Sequence, residues 1–422
     1  MGISSALYSG VSGLNTNGSA LSVIGNNLAN TNTVGFKGSR TVFADLLSGS
    51  IKGSGGLSQV GRGVGMSTVD QVFSQGTFET TESNLDVAIE GEGLFILKEP
   101  GNDSAFYSRA GAFRFDDNGY LTNPEGFRVQ GKLYNPDGTL APGDATDIKI
   151  PGGGLVQGQV TTTLELTTNL NSSEAVLPGA FNHLDAETYN YSSSVQVFDT
   201  LGNPQLLTTY FKKTADNQWS AHYSYELDDG TGTIIAGDFP DPLAFTGNGL
   251  LVNAAADPPL PTIANTPPLD WNNGSIASPV AITFNTTQFN SQSVVISQDQ
   301  DGYAAGNLIG VGIDPEGVVV ASYSNGNRAK VAHLVLGKFV NVNGLELAGS
   351  NLYRETSASG PPRTGLPGPE LGKIFTNSLE QSNVDMGAEF VRMITVQRGF
   401  QANSKIITTV DELLGELINL KR

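Results

Sequence analysis

The sequence predicts a mainly β protein carrying a long α-helix at each end. Three observations lead there. Gly makes up 52 of 422 residues and charged residues only 15%, against about 7% and about 25% in average chains, a balance that favours short strands joined by many turns. The middle of the chain alternates polar and apolar residues with period two. Both ends instead repeat apolar residues every seven.

At the N-terminus, residues 2–30 read as a helix. Leu7, Leu14, Leu21 and Leu28 form one seam, with Ile3, Val11 and Ile24 three or four residues from its members. Gly10, Gly13, Gly18 and Gly25 interrupt it, each costing about 1 kcal/mol relative to Ala. Such a helix is poor in isolation, but its small residues let a partner come close. A polar stretch follows, containing Asn26, Asn27, Asn30, Thr33, Gly35, Phe36 and Lys37 and no acid.

The C-terminal end mirrors the first. Ser382 with Asp385 makes a candidate capping box. Met393, Phe400, Ile407 and Leu414 then recur every seven residues, with Val396, Asn403, Val410 and Leu417 as a second seam. A lone Asn403 in that seam would fix register at some cost in stability. Two readings stand side by side: ordinary amphipathic helices packed on the body, or termini that pair with each other and with neighbouring subunits.

Between the ends, Trp219, Ala221, Tyr223, Tyr225 and Leu227 alternate with Ser220, His222, Ser224 and Glu226, the pattern of a half-buried strand. Further strands are expected at 85–89, 94–98, 194–198, 206–212, 280–284, 293–297, 317–323 and 331–336, separated by turns such as Asp117-Asn118-Gly119 and Pro136-Asp137-Gly138. Residues 53–63 read as a flexible connector, 151–154 as the opening of the central region, and 357–372 as a Pro/Gly linker. Residues 240–280 read as long surface loops.

The net charge of −18 is unevenly placed. Residues 1–44 hold Lys37 and Arg40 and no acid, and residues 371–422 hold six bases and six acids, so the region between carries −20. That body would repel nucleic acid and anionic membranes. The ends lack the repulsion and are the better candidates for self-packing. There is no Cys, which excludes disulfides, thiolate zinc sites and cysteine nucleophiles and suits a chain that travels unfolded through a narrow channel. The N-terminus lacks the basic and apolar regions of a cleaved signal, and no apolar run approaches the length of a membrane span.

Catalytic signals are weak. His183, His222 and His333 are far apart and lack zinc spacing. Asp116-Asp117 and Asp228-Asp229 sit beside Gly in turns, where Asp is favoured for its local hydrogen bonds. The loops at 61–65 and 151–158 lack the Gly-Lys-Ser/Thr of a phosphate loop. No catalytic residue, metal or cofactor is expected.

The motifs carry a resemblance. "IGNNLANTNTVGFK" (24–37) and "LEQSNVDMGAEFVRMITVQRGFQANSKIITTVDELL" (379–414) resemble the terminal signatures of bacterial flagellar rod and hook axial proteins. "FSQGTFETTESNLDVAIEGEGLFIL" (73–97) and "YSRAGAFRFDDNGYLTNPEGFRVQG" (107–131) resemble the β domain that family shares. "VQVFDTLGNPQLLTTYFKKTADNQWSAHY" (195–223) and "QDQDGYAAGNLIGVGIDPEGVVVASYSNG" (298–326) are similar to the extra domain, and the return from it, that mark the hook branch.

The resemblance implies two β-rich domains nested by insertion, with paired terminal helices. Residues 1–70 and 371–422 would be the inner-tube domain with its connector, 71–150 and 295–370 an inner β domain, and 151–294 an inserted outer β domain. It implies a subunit that polymerises into a curved, flexible tube and transmits torque as a universal joint. The alternative is a distal-rod-type relative with an enlarged insertion. Implied partners are copies of itself, distal rod, hook cap and hook–filament junction proteins, and a flagellar type III export apparatus, without nucleic acid or membrane insertion. The terminal segments would be largely disordered in the free monomer, ordering as copies cover their stripes. A rival of another class is a β-rich adhesin or surface enzyme whose chemistry would involve His222 or Asp228.

Overall fold

The computed structural model describes residues 2–46, 49–53, 56–135, 137–150, 154–252 and 262–420; at 2–4, 49–53, 56–60, 262–263 and 417–420 it describes the backbone alone. The fold is mainly β with a helix at each end. It divides into two compact units, one of Met1–Gly153, Val311–Ala321 and Ala329–Arg422, the other of Gly154–Gly310 and Ser322–Arg328.

The first unit holds both helices, α1 (Gly2–Ala29) and α2 (Met386–Leu420). Gly10 faces Ile407, Gly13 faces Asn403 and Asn17 faces Gly399, so the two helices run antiparallel. α1 leads through the signature loop into an antiparallel ribbon, Ser39–Asp45 with Val64–Gln71. The expected flexible connector at 53–63 is partly ordered, because Gly56–Val60 pairs with Gly49–Gly53. Beyond it, Leu94–Lys98 pairs with Ala105–Ser108 and Arg128–Leu133, and Leu336–Lys338 joins its other end. Leu94, Ile96, Tyr107, Val335, Phe339 and Tyr353 form a core there, with the rings of Tyr107 and Phe339 edge-on at 4.7 Å.

The Pro/Gly segment 357–372 is not a free linker. Arg363–Gly365 pairs with Leu336–Lys338, Ser359 is buried, and Gly368 and Gly372 bond each other's backbone. Two short strands then precede α2: Lys373–Thr376 on Val87–Glu90, and Ser378–Glu380 on Phe78–Thr80. The N-cap of α2 is Asp385 rather than Ser382. Its carboxylate accepts from the Ala388 N–H at 3.0 Å, whereas the Ser382 hydroxyl accepts only from Val384 N–H, before the helix.

The second unit contains a four-stranded sheet, in order Thr262–Asn265, Ala281–Phe289, Thr163–Asn171, Val294–Gln300. A second sheet runs Tyr191–Phe198, Pro204–Ala215, Gln218–Glu226, Leu243–Phe245, Leu251–Val252, with Ile234–Asp238 also on Gln218–Glu226. Leu164, Leu166, Phe211, Trp219 and Phe284 anchor one continuous apolar core. The Trp219 indole N–H donates to Gln288 Oε1 at 2.7 Å, so its one polar atom is satisfied.

Two expectations change in this unit. The region 240–280 is not all surface loop: Leu243, Phe245, Leu251, Ala264, Leu269, Trp271 and Val280 belong to the core, while 253–261 lie outside the described residues. Its Pro and Asn residues hide apolar anchors spaced too irregularly for a period to show. The strand at 219–226 is buried on both faces, because Phe181 stacks on His222 at 4.1 Å and covers the polar side.

Candidate assembly site

Among the described residues of α1, the buried ones and the leucine seam form different stripes that share only Ile24. Those buried are Gly10, Gly13, Thr16, Ala20, Ile24 and Asn27, at intervals of three and four. The leucines Leu7, Leu14, Leu21 and Leu28 flank that face and are half-buried, and Val11 is exposed. Helix contact thus runs through the small residues. A Cβ on Gly13 would stand 2.7 Å from the Asn403 amide, so the close approach needs glycine there. Asn403 in turn donates to the Gly399 carbonyl of its own helix at 3.0 Å.

On α2 the sequence-derived stripe does face inward. Met393, Val396, Phe400, Asn403 and Ile407 are half-buried and Val410 is buried, but Leu414 is exposed. The side chains of Ile3 and Leu417 lie outside the described residues. Met386, Phe390, Val391, Ile394, Ile406 and Leu413 are also exposed on α2, a set of large apolar side chains that the heptad reading did not include.

The signature loop is held by its own polar residues. The Asn27 amide donates to Ser39 C=O and accepts from Ser39 N–H, at 2.8 and 2.9 Å, tying the end of α1 to the ribbon. Asn30 donates to Asn26 C=O and accepts from the Thr33 hydroxyl, and Phe36 N–H closes a turn on Thr33 C=O. Gly35 has φ +70°, and a Cβ there would meet the Ala110 nitrogen at 2.6 Å. Both facts require glycine.

Below the loop lies a buried charge cluster. Lys37 Nζ donates to Glu380 Oε1 at 2.6 Å, and both side chains are fully buried. Arg109 reaches Glu380 Oε2 at 3.4 Å and also donates to the Ile89 and Gly91 carbonyls. Lys37 donates to Ser74 C=O, and Gly76 N–H donates to Glu380 Oε1. The backbone joins in, since Gly35 N–H donates to Glu380 C=O at 2.7 Å. Asn383 accepts from Gly38 N–H and donates to Val72 and Ser74 C=O. Burial lowers the pKa of Lys37, with Glu380 opposing that shift, and lowers that of Arg109 in the same way.

Glu380, Arg109 and Asn383 were not singled out from the sequence. Glu380 and Asn383 stand inside the C-terminal signature and Arg109 inside the "YSRAGAF" motif, but one sequence does not disclose which distant charges meet.

The rival chemistry at His222 and Asp228 has a structural account. His222 Nδ1 pairs with Asp238 Oδ1 at 2.6 Å and Nε2 with Ser220 Oγ at 2.9 Å. Ser220 sits mid-strand, opposite Lys212 in the ladder, where neighbouring N–H groups serve the sheet rather than an oxyanion. Asp228 accepts from Gln205 and Asn273 side chains and ties loops together. Among the described residues no cluster of three or more His, Cys, Asp or Glu could hold a metal, and no helix is long and apolar enough to cross a membrane.

Comparison with known proteins fits this geometry. Residues 7–37 match the family described as flagella basal body rod protein, and 88–158 the flagellar hook protein FlgE/F/G D1 domain. Residues 169–303 match the flagellar basal body protein FlaE D2 domain, and 376–420 the flagellar basal body rod FlgEFG protein C-terminal family. The flagellar hook protein FlgE of Escherichia coli is 37% identical, with 99% of this chain and 100% of that protein covered. That of Borreliella burgdorferi is 35% identical, with 99% of each covered. The crystal structure of Helicobacter pylori flagellar hook protein FlgE2 shares the fold at TM-score 0.53 and 17% identity, covering 72% of this chain and all of that one. End-to-end relatives thus carry the hook name, which does not favour the rod-type alternative. The chain belongs to the flagellar hook protein family.

Proposed function

We propose that this chain, a structural subunit of the bacterial flagellar hook, polymerises through its terminal helices into a curved, flexible tube that carries torque as a universal joint. One observation supports this most. The antiparallel pair α1–α2 satisfies its small-residue face internally, yet leaves Val11, Phe390, Ile394, Leu413 and Leu414 exposed. Apolar side chains of that size on a terminal helix pair gain most by covering one another between copies. Contacts that do not close on themselves then build an open helical tube.

The sites assigned are Ile3, Leu7, Val11, Leu14, Leu21, Ile24 and Leu28 on α1, and Met393, Val396, Phe400, Asn403, Ile407, Val410, Leu414 and Leu417 on α2. Within the three-part division, the first unit would supply the inner-tube and inner β domains, and the second the outer domain. That second unit holds fifteen acids and three bases, and two of those bases, Lys212 and Lys213, are buried. Among its described residues the exposed charge is therefore mostly negative. Copies of such a surface slide past each other rather than adhere, and salt screens their repulsion. Distal rod, hook cap and hook–filament junction proteins would bind the ends of the tube. A flagellar type III apparatus would export the chain without a cleaved signal.

Electron microscopy of the full-length chain beside a version lacking 1–30 and 382–422 tests this reading. Hollow curved tubes from the full-length chain alone are expected; equal assembly by the truncated chain would contradict it.

A further inference from the structure

We propose that Glu380 is the positioning residue of a charge latch, through which the N-terminal signature loop and the segment entering α2 become ordered together. The inference goes beyond the assembly reading and uses only contacts within one chain.

The cluster brings together three segments far apart in sequence: Lys37 lies 343 residues from Glu380, and Arg109 lies 271. Glu380 serves them with every acceptor it has. Oε1 takes Lys37 Nζ and Gly76 N–H, Oε2 takes Arg109, and its carbonyl takes Gly35 N–H. Two cations share one carboxylate, so the buried site is cation-rich. That unequal ratio gives the three residues unequal roles. Removing Lys37 leaves Arg109 and Glu380 balanced one to one. Removing the Glu380 charge strands two cations out of water, the costly way to break a buried pair.

An intermediate with the loop docked and the C-terminal segment free would face the same penalty. If the loop at 26–38 is in place without Glu380, Lys37 is buried opposite Arg109 alone. If the strand Ser378–Glu380 is in place without the loop, Arg109 still balances Glu380 and only the Lys37 and Gly35 donors are missing, a smaller cost. Asn383 adds a second link across the same joint, from Gly38 N–H to the Val72 and Ser74 carbonyls. A subunit whose loop docks ahead of the strand Ser378–Glu380 is thus disfavoured before it can join a polymer.

The groups facing the cluster fix its pH behaviour. Around Lys37 and Arg109 these are Glu380, Tyr353 and Glu92, besides the two cations themselves. With the carboxylate gone, burial lowers the Lys37 pKa unopposed, so its charge is lost at a lower pH than in the natural chain. A defect that shrinks as pH rises distinguishes a charge latch from a simple packing role.

The test compares Glu380→Gln, Lys37→Met and the double variant in the full-length chain. Hydrogen exchange is read at Gly35, Gly38 and Gly76, and at Gln381 and Glu389 in the segment entering α2, in whichever form, soluble or polymerised, protects them in the natural chain. Glu380→Gln should lower that protection on the order of a hundredfold in the loop and at the start of α2 together. Lys37→Met should lower it by less than about tenfold. In urea unfolding, the gap between Glu380→Gln and the natural chain should narrow from pH 7 to about 9.5, and the double variant should show no such narrowing. The latch is overturned if Lys37→Met does equal damage, if the gap ignores pH, if only one segment loosens, or if these amides are unprotected in both forms. Failure to polymerise would contradict the assembly reading alone, since the urea comparison across pH needs only the soluble chain.

Discussion

Among the described residues each unit buries two lysine or arginine side chains, and the two solutions differ. In the first unit Lys37 and Arg109 converge on one carboxylate from distant parts of the chain. In the second, Lys212 and Lys213 reach only backbone carbonyls, those of Gly179, Ser172 and Glu174, 33 to 41 residues away. The first arrangement joins segments whose closure entropy is large. The second fastens one loop onto a sheet already held by its apolar core. Charge is the joint in one unit and an accessory in the other.

If so, truncating the core should damage the second unit far more than removing a lysine. Trp219→Ala should cost about 3–5 kcal/mol, read by urea unfolding followed through the aromatic signal of that unit. Lys213→Met should cost about 1–3 kcal/mol, because two carbonyls lose their donor. Equal costs for the two would erase the contrast.

The contrast extends to alkaline pH. Burial pushes the Tyr107 hydroxyl up to about 12 and raises that of Tyr353 as well. A folded-state pKa above the unfolded one contributes stability that is present below about pH 10 and lost as pH rises through the folded value. Lys37 works the other way. Its lowered pKa means stability present above the unfolded lysine value and lost as pH falls through the folded one. The first unit should therefore weaken between about pH 10 and 12 through its tyrosines, and Tyr107→Phe should reduce that loss. A pH-independent unfolding midpoint across this window would contradict the assignment. The smallest effect belongs to the helix cap: Asp385→Ala should cost about 1 kcal/mol, visible as faster exchange in the first turn of α2 only.

How much of this was legible beforehand follows physical lines. Strands with a regular period were readable, as at Gln218–Glu226, Ala281–Phe289 and Val318–Tyr323. On α2, Met393 to Val410 keep helical spacing and turn inward within the single chain. On α1 the leucines Leu7, Leu14, Leu21 and Leu28 flank the contact with α2, and the small residues expected to let a partner come close make it. Gly10 and Gly13 give the approach that a leucine would block, and hydrophobic patterning overlooks small residues. The region 240–280 was misread because Trp271, Leu269 and Phe245 sit singly among Asn and Pro. The buried cluster was invisible for a different reason. Glu380 meets Lys37 through tertiary closure, and nothing local at either position distinguishes it from a solvated charge.

The central claim is that exposed apolar side chains on the terminal helices hold copies together. It is tested most directly by the critical concentration for polymerisation of Phe390→Ser/Ile394→Ser, two positions about half exposed in the single chain. The account predicts a rise of at least about tenfold, as expected from losing two buried apolar contacts, with unfolding of the soluble chain unchanged. Tubes forming at the unaltered concentration would contradict it.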